Sequence, residues 1–298
     1  MPTNNQIKNA LTIDVEDYFQ VSAFAPYIER DQWDSRECRV ERNMDRILAL
    51  LDSKGVKATF FTLGWIAERY PQVVRRIVTG GHELASHGYG HQRASDLSEA
   101  DFFADVSRAK QLLEDLSGQV VKGYRAPSFS IGTGNLWAFD CLERAGYRYS
   151  SSIYPIQHDH YGMPDAPRFA HQVRRTLLEV PVTTANLLGR NLPASGGGYF
   201  RLMPYPLSRW LLRRVNQRDM QSAIFYFHPW EIDADQPRVA GINFKSRFRH
   251  YLNLDKMEGR LSRLLDDFRW GRMDEVFLAG TAAESQSQPS SLVGLVAK

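Results

Sequence analysis

The sequence is poor in the features that mark several other classes of protein. Its 298 residues contain two cysteines, Cys38 and Cys141, which lie far apart and form no zinc-binding spacing. This scarcity excludes a disulfide framework, and although one disulfide is possible, we expect two reduced thiols. No stretch approaches ~18 uncharged apolar residues, so a transmembrane helix is not expected.

The net charge is also small. The 37 Lys and Arg residues exceed the 34 Asp and Glu residues by only three. Such an excess, without a clustered basic face, argues against nucleic acid as a partner. The first residues contain no apolar segment of the kind that a secretory signal peptide needs. We therefore expect a cytoplasmic protein, and the sequence leaves its oligomeric state open.

What the sequence does contain is a regular alternation of strand-like and helix-like segments. Hydrophobic residues make up 43% of the chain, which is enough for a sizeable core. Repeated β-then-α units predict parallel strands covered by helices, as in an α/β barrel or a doubly wound sheet. We expect one domain over residues 1–279, with loop insertions at about 158–175 and 187–205, a last strand at 276–278 and a flexible tail at 280–298.

Polar side chains stand where the predicted strands end. Asp14, Glu16 and Asp17 follow the first strand, and His87 and His91 follow a strand at 83–86. Crowded carboxylates repel one another unless a cation or an arginine lies between them. Two imidazoles four residues apart can bind one metal ion. Taken singly, a solvated acidic loop and a chance pair of histidines remain open alternatives.

Two further segments complete this pattern. Arg125 follows a predicted strand at 120–124, and His228 ends another at 222–228. Either residue alone is typical of a surface salt bridge or a structural histidine. Together with the acids and the paired histidines, they supply the ligands, base, orienting cation and acid of metal-assisted hydrolysis. A GxSxG motif is absent from the sequence, which disfavours a serine hydrolase.

These segments resemble the motifs of the polysaccharide deacetylases, carbohydrate esterase family 4. TIDVED, SHGYGH, RAPSF and FYFH stand in order where that family has TFDD, H(S/T)xxH, RxPY and LxH. The resemblance spans about residues 11–276, and in detail it indicates the subgroup found with bacterial exopolysaccharide and protein-sorting loci. It implies a deformed (β/α) barrel with loop insertions.

The resemblance also implies catalytic roles. Asp14 stands where the family has its catalytic base, which takes a proton from the attacking water. Arg125 matches the arginine that orients this base, and His228 matches the general acid that protonates the leaving amine.

It further implies one divalent metal cation. His87 and His91 match the family's metal-binding histidines, but the usual adjacent pair of aspartates is replaced here by a longer acidic run. We favour Glu16 over Asp17 as the third ligand, because Glu16 shares a strand face with Asp14. Zinc is the first expectation, and cobalt, nickel or iron are also compatible.

Substrate contacts are expected around the same motifs. The resemblance gives Pro127 and Phe129 a place in the wall of the substrate groove. Tyr89 and Trp230 could stack on sugar rings, because the apolar C–H faces of pyranoses suit aromatic rings.

A second departure from the family pattern lies at Ser150. Ser150 stands where relatives often carry an aspartate that partners the acid histidine. We therefore expect His228 to find another partner, either Asp159 or Asp233, or else to have a lower pKa than the family norm.

The sequence as a whole predicts a metal-dependent hydrolase that removes N-acetyl groups from amino sugars of a bacterial exopolysaccharide or a lipid-linked oligosaccharide. A first alternative is an allantoinase-like hydrolase of a small cyclic or linear amide, because relatives that read DxE include such enzymes. A second alternative is a catalytically silent carbohydrate-binding protein, for which the change at Ser150 is the sequence support.

Overall fold

A curled, nine-stranded sheet lies at the centre of the chain. The structure is a computed structural model that describes residues 7–158 and 162–279. The predicted tail at 280–298 lies outside the described residues. The strands are β1 (Lys8–Val15), β2 (Thr59–Thr62), β3 (Glu83–Ser86), β4 (Gly123–Tyr124), β5 (Tyr149–Ser150), β6 (His171–Gln172), β7 (Leu178–Glu179), β8 (Thr184–Leu187), β9 (Arg190–Pro193), β10 (Ile224–Phe227) and β11 (Arg269–Gly271).

Helices connect most of these strands. They are α1 (Val40–Ser53), α2 (Gly64–Arg69), α3 (Pro71–Thr79), α4 (Glu99–Ser117), α5 (Ala138–Arg144), α6 (Gly197–Leu202), α7 (Tyr205–Arg214), α8 (Phe244–Tyr251), α9 (Leu254–Asp267) and α10 (Met273–Phe277). In the described part of the chain, no helix is both long and apolar enough to cross a membrane.

The strands run in the order β10-β1-β2-β3-β4-β5-β7-β6, with β11 paired to the first half of β1. Neighbouring strands are parallel except for β6 and β7, while β8 and β9 form a separate antiparallel hairpin. Among the described residues no hydrogen bonds join β10 to β6, so the barrel stays open between its two edge strands. This confirms the predicted α/β fold, a deformed (β/α) barrel.

The sheet separates two apolar layers, because successive residues of a strand point to opposite faces. Phe60 faces the helices, whereas Phe61 points into the barrel and packs with Tyr149 at a ring distance of 6.3 Å. Both phenylalanines are fully buried. The filled interior leaves the carboxyl ends of the strands as the place where polar side chains can gather.

The helices begin and end where their sequences indicate. Ser98 caps α4 by accepting a hydrogen bond from the backbone N–H of Asp101 at 3.2 Å, and Gly118 ends the helix with a φ of +66°. The left-handed conformation at Gly118 suits glycine because no Cβ is strained there.

Two expectations about local structure were wrong. Residues 276–278 form no strand; α10 covers most of them, and β11 is the last strand. Asp274 and Glu275 stand in the first turn of α10, where carboxylates stabilise a helix. The insertion at 187–205 is also more ordered than a loop, because it contains β9 and α6.

Both cysteines are free thiols, as expected. Cys141 is buried in the core, and Cys38 is half-buried with its Sγ 3.1 Å from a carboxylate oxygen of Asp17.

Candidate active site

Four strands deliver the predicted site residues to one end of the barrel. Asp14 lies in β1, His87 follows β3, Arg125 follows β4 and His228 follows β10. Because these strands are parallel, their carboxyl ends meet at the same edge of the sheet. The sheet therefore brings together residues that are far apart in the chain. One example is the hydrogen bond between Trp230 and Glu16, which are 214 positions apart.

Glu16, His87 and His91 form the one cluster in the described residues that could hold a metal ion. One ligand atom of each residue lies within 4.8 Å of the others, and all three side chains are buried. Glu16 Oε2 is 2.7 Å from His91 Nε2. The set offers two imidazole nitrogens and one carboxylate oxygen, which leaves further coordination positions to water or substrate.

His87 is held in the form that a metal ligand requires. Its Nδ1 donates to the backbone carbonyl of Arg125 at 2.8 Å, because a carbonyl oxygen can only accept. The lone pair is therefore on Nε2, and burial lowers the pKa of His87 to about 4. At neutral pH this imidazole is uncharged and free to ligate.

The loop that carries the two histidines has a compact backbone held by hydrogen bonds. Gly88 and His91 both have left-handed backbones, with φ values of +74° and +54°. The loop is fastened by the Gly88 carbonyl, which accepts from the N–H of Gly64 at 2.9 Å, and by the carboxylate of Asp105, which accepts from the N–H of Tyr89 at 3.0 Å. Sequence reasoning missed Asp105, which is on α4 and carries no motif of its own.

The charge and the hydrogen-bond partners of Glu16 indicate whether a cation fits between Glu16, His87 and His91. Burial by itself would raise the pKa of Glu16, but the nearby charges of His91 and His228 outweigh burial and lower it. Trp230 Nε1 donates to Glu16 Oε1 at 3.2 Å, while no described residue makes a well-directed hydrogen bond to Oε2. A buried, ionised oxygen without a directed donor, facing two imidazoles, fits a divalent cation.

Asp14 is held by a fully buried arginine. Arg125 Nη1 donates to Asp14 Oδ1 at 2.6 Å and to Thr12 Oγ1 at 2.9 Å. The guanidinium also donates to the carbonyl and hydroxyl of Ser151 and lies 4.1 Å over the ring of Phe61. This fixed guanidinium occupies one oxygen of Asp14 and leaves Oδ2 facing His228 Nε2 at 3.8 Å.

His228 has a partner that sequence reasoning missed. Its Nδ1 lies 2.7 Å from Glu231 Oε1, and Glu231 Oε2 accepts from Arg201 Nε at 2.7 Å. Arg201 is itself buried and donates to the backbone carbonyls of His250 and Leu252. The segment HPWE indicates this contact in the sequence. The turn after β10 brings Glu231, three residues after His228, into contact with the histidine.

The expected partners of His228 therefore need correction. Asp233 instead accepts from Arg39 Nε at 2.6 Å, and Asp159 lies outside the described residues. Ser150 Oγ contacts Ser152 Oγ at 2.8 Å.

The pKa of His228 is raised rather than lowered. Burial would lower it, but the carboxylates of Glu16, Glu231 and Asp14 outweigh burial and raise the pKa of His228 to about 9. Arg201 and His228 in turn hold the pKa of Glu231 below its ordinary value against the effect of burial. At neutral pH this end of the barrel holds a protonated imidazole beside an ionised carboxylate.

Asp17 lies outside the metal-binding cluster. Its Oδ1 accepts from the N–H of Tyr18 at 2.7 Å, and its Oδ2 accepts from the N–H groups of Arg39 and Val40. The side chain thus points to the start of α1, where it accepts from backbone N–H groups that have no partner within the helix. Of the two acids that we considered as third ligand, the geometry brings only Glu16 to the histidines.

This difference gives a direct test. We expect Glu16→Gln to weaken metal binding by more than the ~10–100-fold typical when a group hydrogen-bonded to a ligand is removed. We expect Asp17→Asn to keep the bound metal and to lower the free energy of unfolding by about 1–3 kcal/mol, because it loses charged hydrogen bonds. Metal content after gel filtration checks the first expectation, and a urea unfolding curve checks the second. If Asp17→Asn lost the metal and Glu16→Gln kept it, Asp17 and not Glu16 would be the third ligand.

The expected aromatic contacts are only partly available. The Trp230 ring is sandwiched between His228 and His250, at ring distances of 5.3 and 4.2 Å, and is 5% exposed. The guanidinium of Arg108 covers one face of Tyr89 at 3.5 Å, and the Tyr89 hydroxyl contacts Glu68 Oε2 at 2.5 Å. Trp230 has no free face for a sugar, so its predicted stacking role is corrected to one of support. Tyr89 is only partly buried, and its stacking role stays a prediction.

Pro127 and Phe129 lie in a short turn next to Arg125. Both are buried, and Phe129 packs edge-on against Tyr226 at a ring distance of 4.9 Å. Their role in the wall of a substrate groove stays a prediction.

Two families match consecutive parts of the chain. Residues 31–150 match the family described as polysaccharide deacetylase, and residues 151–278 match a domain of unknown function, DUF3473. Both segments build the same sheet, since β5 pairs with β4 on one side and with β7 on the other. The site draws on both: the two metal-binding candidates His87 and His91 lie in the first segment, and His228 and Glu231 lie in the second.

Individual relatives cover shorter stretches. A peptidoglycan-N-acetylglucosamine deacetylase from Bacillus cereus is 35% identical over 94 residues, which are 31% of this chain and 34% of that protein. A chitin deacetylase from a Pestalotiopsis species is 32% identical over 118 residues, 38% of this chain and 39% of that protein. The chain thus spans well under half the length of these curated relatives.

Solved structures allow the whole length of the chain to be compared. A candidate polysaccharide deacetylase from Mycobacterium smegmatis superposes with a TM-score of 0.59 at 20% identity, covering 100% of this chain and 97% of that one. At this level of identity the likeness shows the fold alone.

Proposed function

Since the chain carries a polysaccharide deacetylase domain of carbohydrate esterase family 4, we propose that it removes N-acetyl groups from amino sugars of a polysaccharide by metal-assisted hydrolysis. The observation that carries this proposal is the meeting of the Glu16–His87–His91 cluster with Asp14 and His228 at one end of the barrel. In that arrangement the metal ligands, the general base and the general acid are different side chains.

The base is Asp14. Arg125 holds one of its oxygens, while Oδ2 is left to take a proton from the attacking water. The acid is His228, which is protonated at neutral pH and gives its Nε2 proton to the amide nitrogen as the C–N bond breaks. The products are acetate and a free amine, so water supplies every atom that the reaction needs.

Glu16, His87 and His91 hold the cation. When bound there, a divalent cation would act as a Lewis acid toward the amide carbonyl and would lower the pKa of water. We propose zinc as the resident metal, because two imidazoles and one carboxylate suit it; cobalt, nickel and iron accept the same donors.

The substrate that we propose is an N-acetylated exopolysaccharide or a lipid-linked oligosaccharide. Support comes from the names of the relatives above, which specify peptidoglycan and chitin, two polymers of N-acetylated amino sugars. The proposal transfers their reaction type, and the identity of the polymer is the part to be tested.

A chelation experiment tests this function. The metal is removed from the purified protein, which is then reloaded separately with zinc, cobalt, nickel or iron and incubated with N-acetylated glucosamine oligomers. We expect acetate release to disappear on chelation and to return with at least one metal. Hydrolysis of allantoin in place of the oligomers would favour the small-amide alternative.

The same experiment addresses a silent binding protein. That alternative relied on Ser150, but Glu231 gives His228 a carboxylate partner from another position, so the change at Ser150 no longer argues for a lost acid. Oligosaccharide binding without acetate release under every metal would nevertheless contradict the proposed hydrolysis.

A further inference from the structure

Helix α8 carries an exposed apolar pair next to the site. Phe244 is 82% exposed and Phe248 is 48% exposed, and their rings stack at 6.3 Å with an interplanar angle of 20°. Residues four apart lie on the same side of a helix, so the two rings form one continuous apolar surface. Much of this surface is therefore open to solvent.

The segment around this pair is uniformly basic. Residues 236–254 contain Arg238, Lys245, Arg247 and Arg249 but no aspartate or glutamate. In the described residues, the side chains of Arg247 and Arg249 make no ion pair, whereas surface arginines such as Arg46, Arg69 and Arg76 do. Four positive charges in the segment that carries the two exposed phenylalanines, one of them (Arg238) over the ring of Tyr251, make a surface that an anionic partner would neutralise. We call Phe244, Phe248 and these four basic residues the α8 patch.

The α8 patch lies at the same end of the barrel as the site. On the inner side of α8, His250 stacks on Trp230 at 4.2 Å, and Trp230 in turn stacks on His228. Phe248 precedes His250 by two residues, about 200° around the helix, and therefore points away from the site. The patch is thus a rim feature that faces outward.

We propose that the α8 patch docks the protein on the surface of an anionic phospholipid bilayer. Exposed phenyl rings fit the boundary between headgroups and acyl chains of a bilayer. Basic residues around them suit anionic headgroups, and each one near the surface strengthens binding about fivefold. Because the patch and the site share one end of the barrel, docking brings the site close to molecules held at the membrane.

Vesicle sedimentation tests this docking. The full chain is incubated with vesicles of phosphatidylcholine alone or of phosphatidylcholine with about one third phosphatidylglycerol. We expect sedimentation with the anionic vesicles, little with the neutral ones, and weakening at high salt, because salt screens the charges.

Two double variants locate the binding surface. Phe244→Ser with Phe248→Ser, and separately Arg247→Glu with Arg249→Glu, should each lower the bound fraction at least tenfold. The matched control is Leu188→Ser with Met220→Ser, which removes two exposed apolar side chains of 103% and 69% exposure outside the α8 patch. The control should bind as the unaltered chain does, and circular dichroism should show that all three variants are folded.

Several outcomes would overturn the inference. Sedimentation that is equal in the Phe244/Phe248 variant and the unaltered chain would do so, as would no binding to either vesicle. Binding to soluble polygalacturonate in place of vesicles would assign the patch to an acidic polysaccharide. Acetate release from soluble oligomers should be unchanged in these variants, so failure of docking and failure of the deacetylase proposal give different results.

Discussion

Asp14→Asn is expected to lower kcat for acetate release by about 10²–10⁴-fold, the usual contribution of a general base. An amide cannot take the proton of the attacking water, whereas Glu16, His87 and His91 remain to hold the metal. Metal content should therefore stay at the level of the unaltered chain. The measurements are initial rates on N-acetylated oligomers and metal analysis of the same preparation.

Loss of the Asp14 charge also leaves Arg125 without its anionic partner. A buried ion pair that loses one member costs about 3–5 kcal/mol of stability, although Thr12 and Ser151 still accept from the guanidinium. A urea unfolding curve separates this effect from the loss of activity. The matched control is Asp17→Asn, which makes the same chemical change three residues on and should keep kcat within about threefold. A fully active Asp14→Asn would exclude Asp14 as the base.

Glu231→Gln is expected to lower kcat by about 10–100-fold and to move the alkaline limb of the pH profile to lower pH. His228 works in its protonated form, and its pKa is raised to about 9 by Glu16, Glu231 and Asp14 acting against burial. Activity is therefore present below that pKa and is lost as the pH rises through it. Removing the charge of Glu231 lowers the pKa, so the loss begins at lower pH.

The control for this prediction is Asp233→Asn. Asp233 pairs with Arg39 and Arg42, so the same chemical change two residues on should leave the alkaline limb in place. Glu231→Asp, which keeps the charge, should restore part of the shift. A pH profile of kcat/KM that is identical in Glu231→Gln and the unaltered chain would show that Glu231 plays only a structural part through Arg201.

Much of the fold could be predicted from local patterns. The strand at 83–86 and the helix that Ser98 caps appear where alternation and capping place them. The error at 276–278 shows the limit, because three apolar residues satisfy a strand and one turn of helix equally well. Pairing of β11 with β1 decides that region, and this contact spans most of the chain.

The sequence by itself determined which chemical groups are candidates for the site. Motif spacing singled out Asp14, His87, His91, Arg125 and His228, and strand alternation favoured Glu16. Those inferences needed only local geometry: side chains two apart on a strand share a face, and the carboxyl ends of parallel strands meet.

Only the tertiary structure decided how those groups are supported. Arg201 reaches Glu231, the partner of His228, because α6 and α9 pack beside the turn after β10. Asp17 turns away from the histidines because the start of α1 offers it unpaired N–H groups. The burial of Trp230 likewise depends on α8, whose His250 stacks on its ring. Such contacts join residues tens to hundreds of positions apart, and no local pattern records them, because packing selects each one from many sterically equivalent partners.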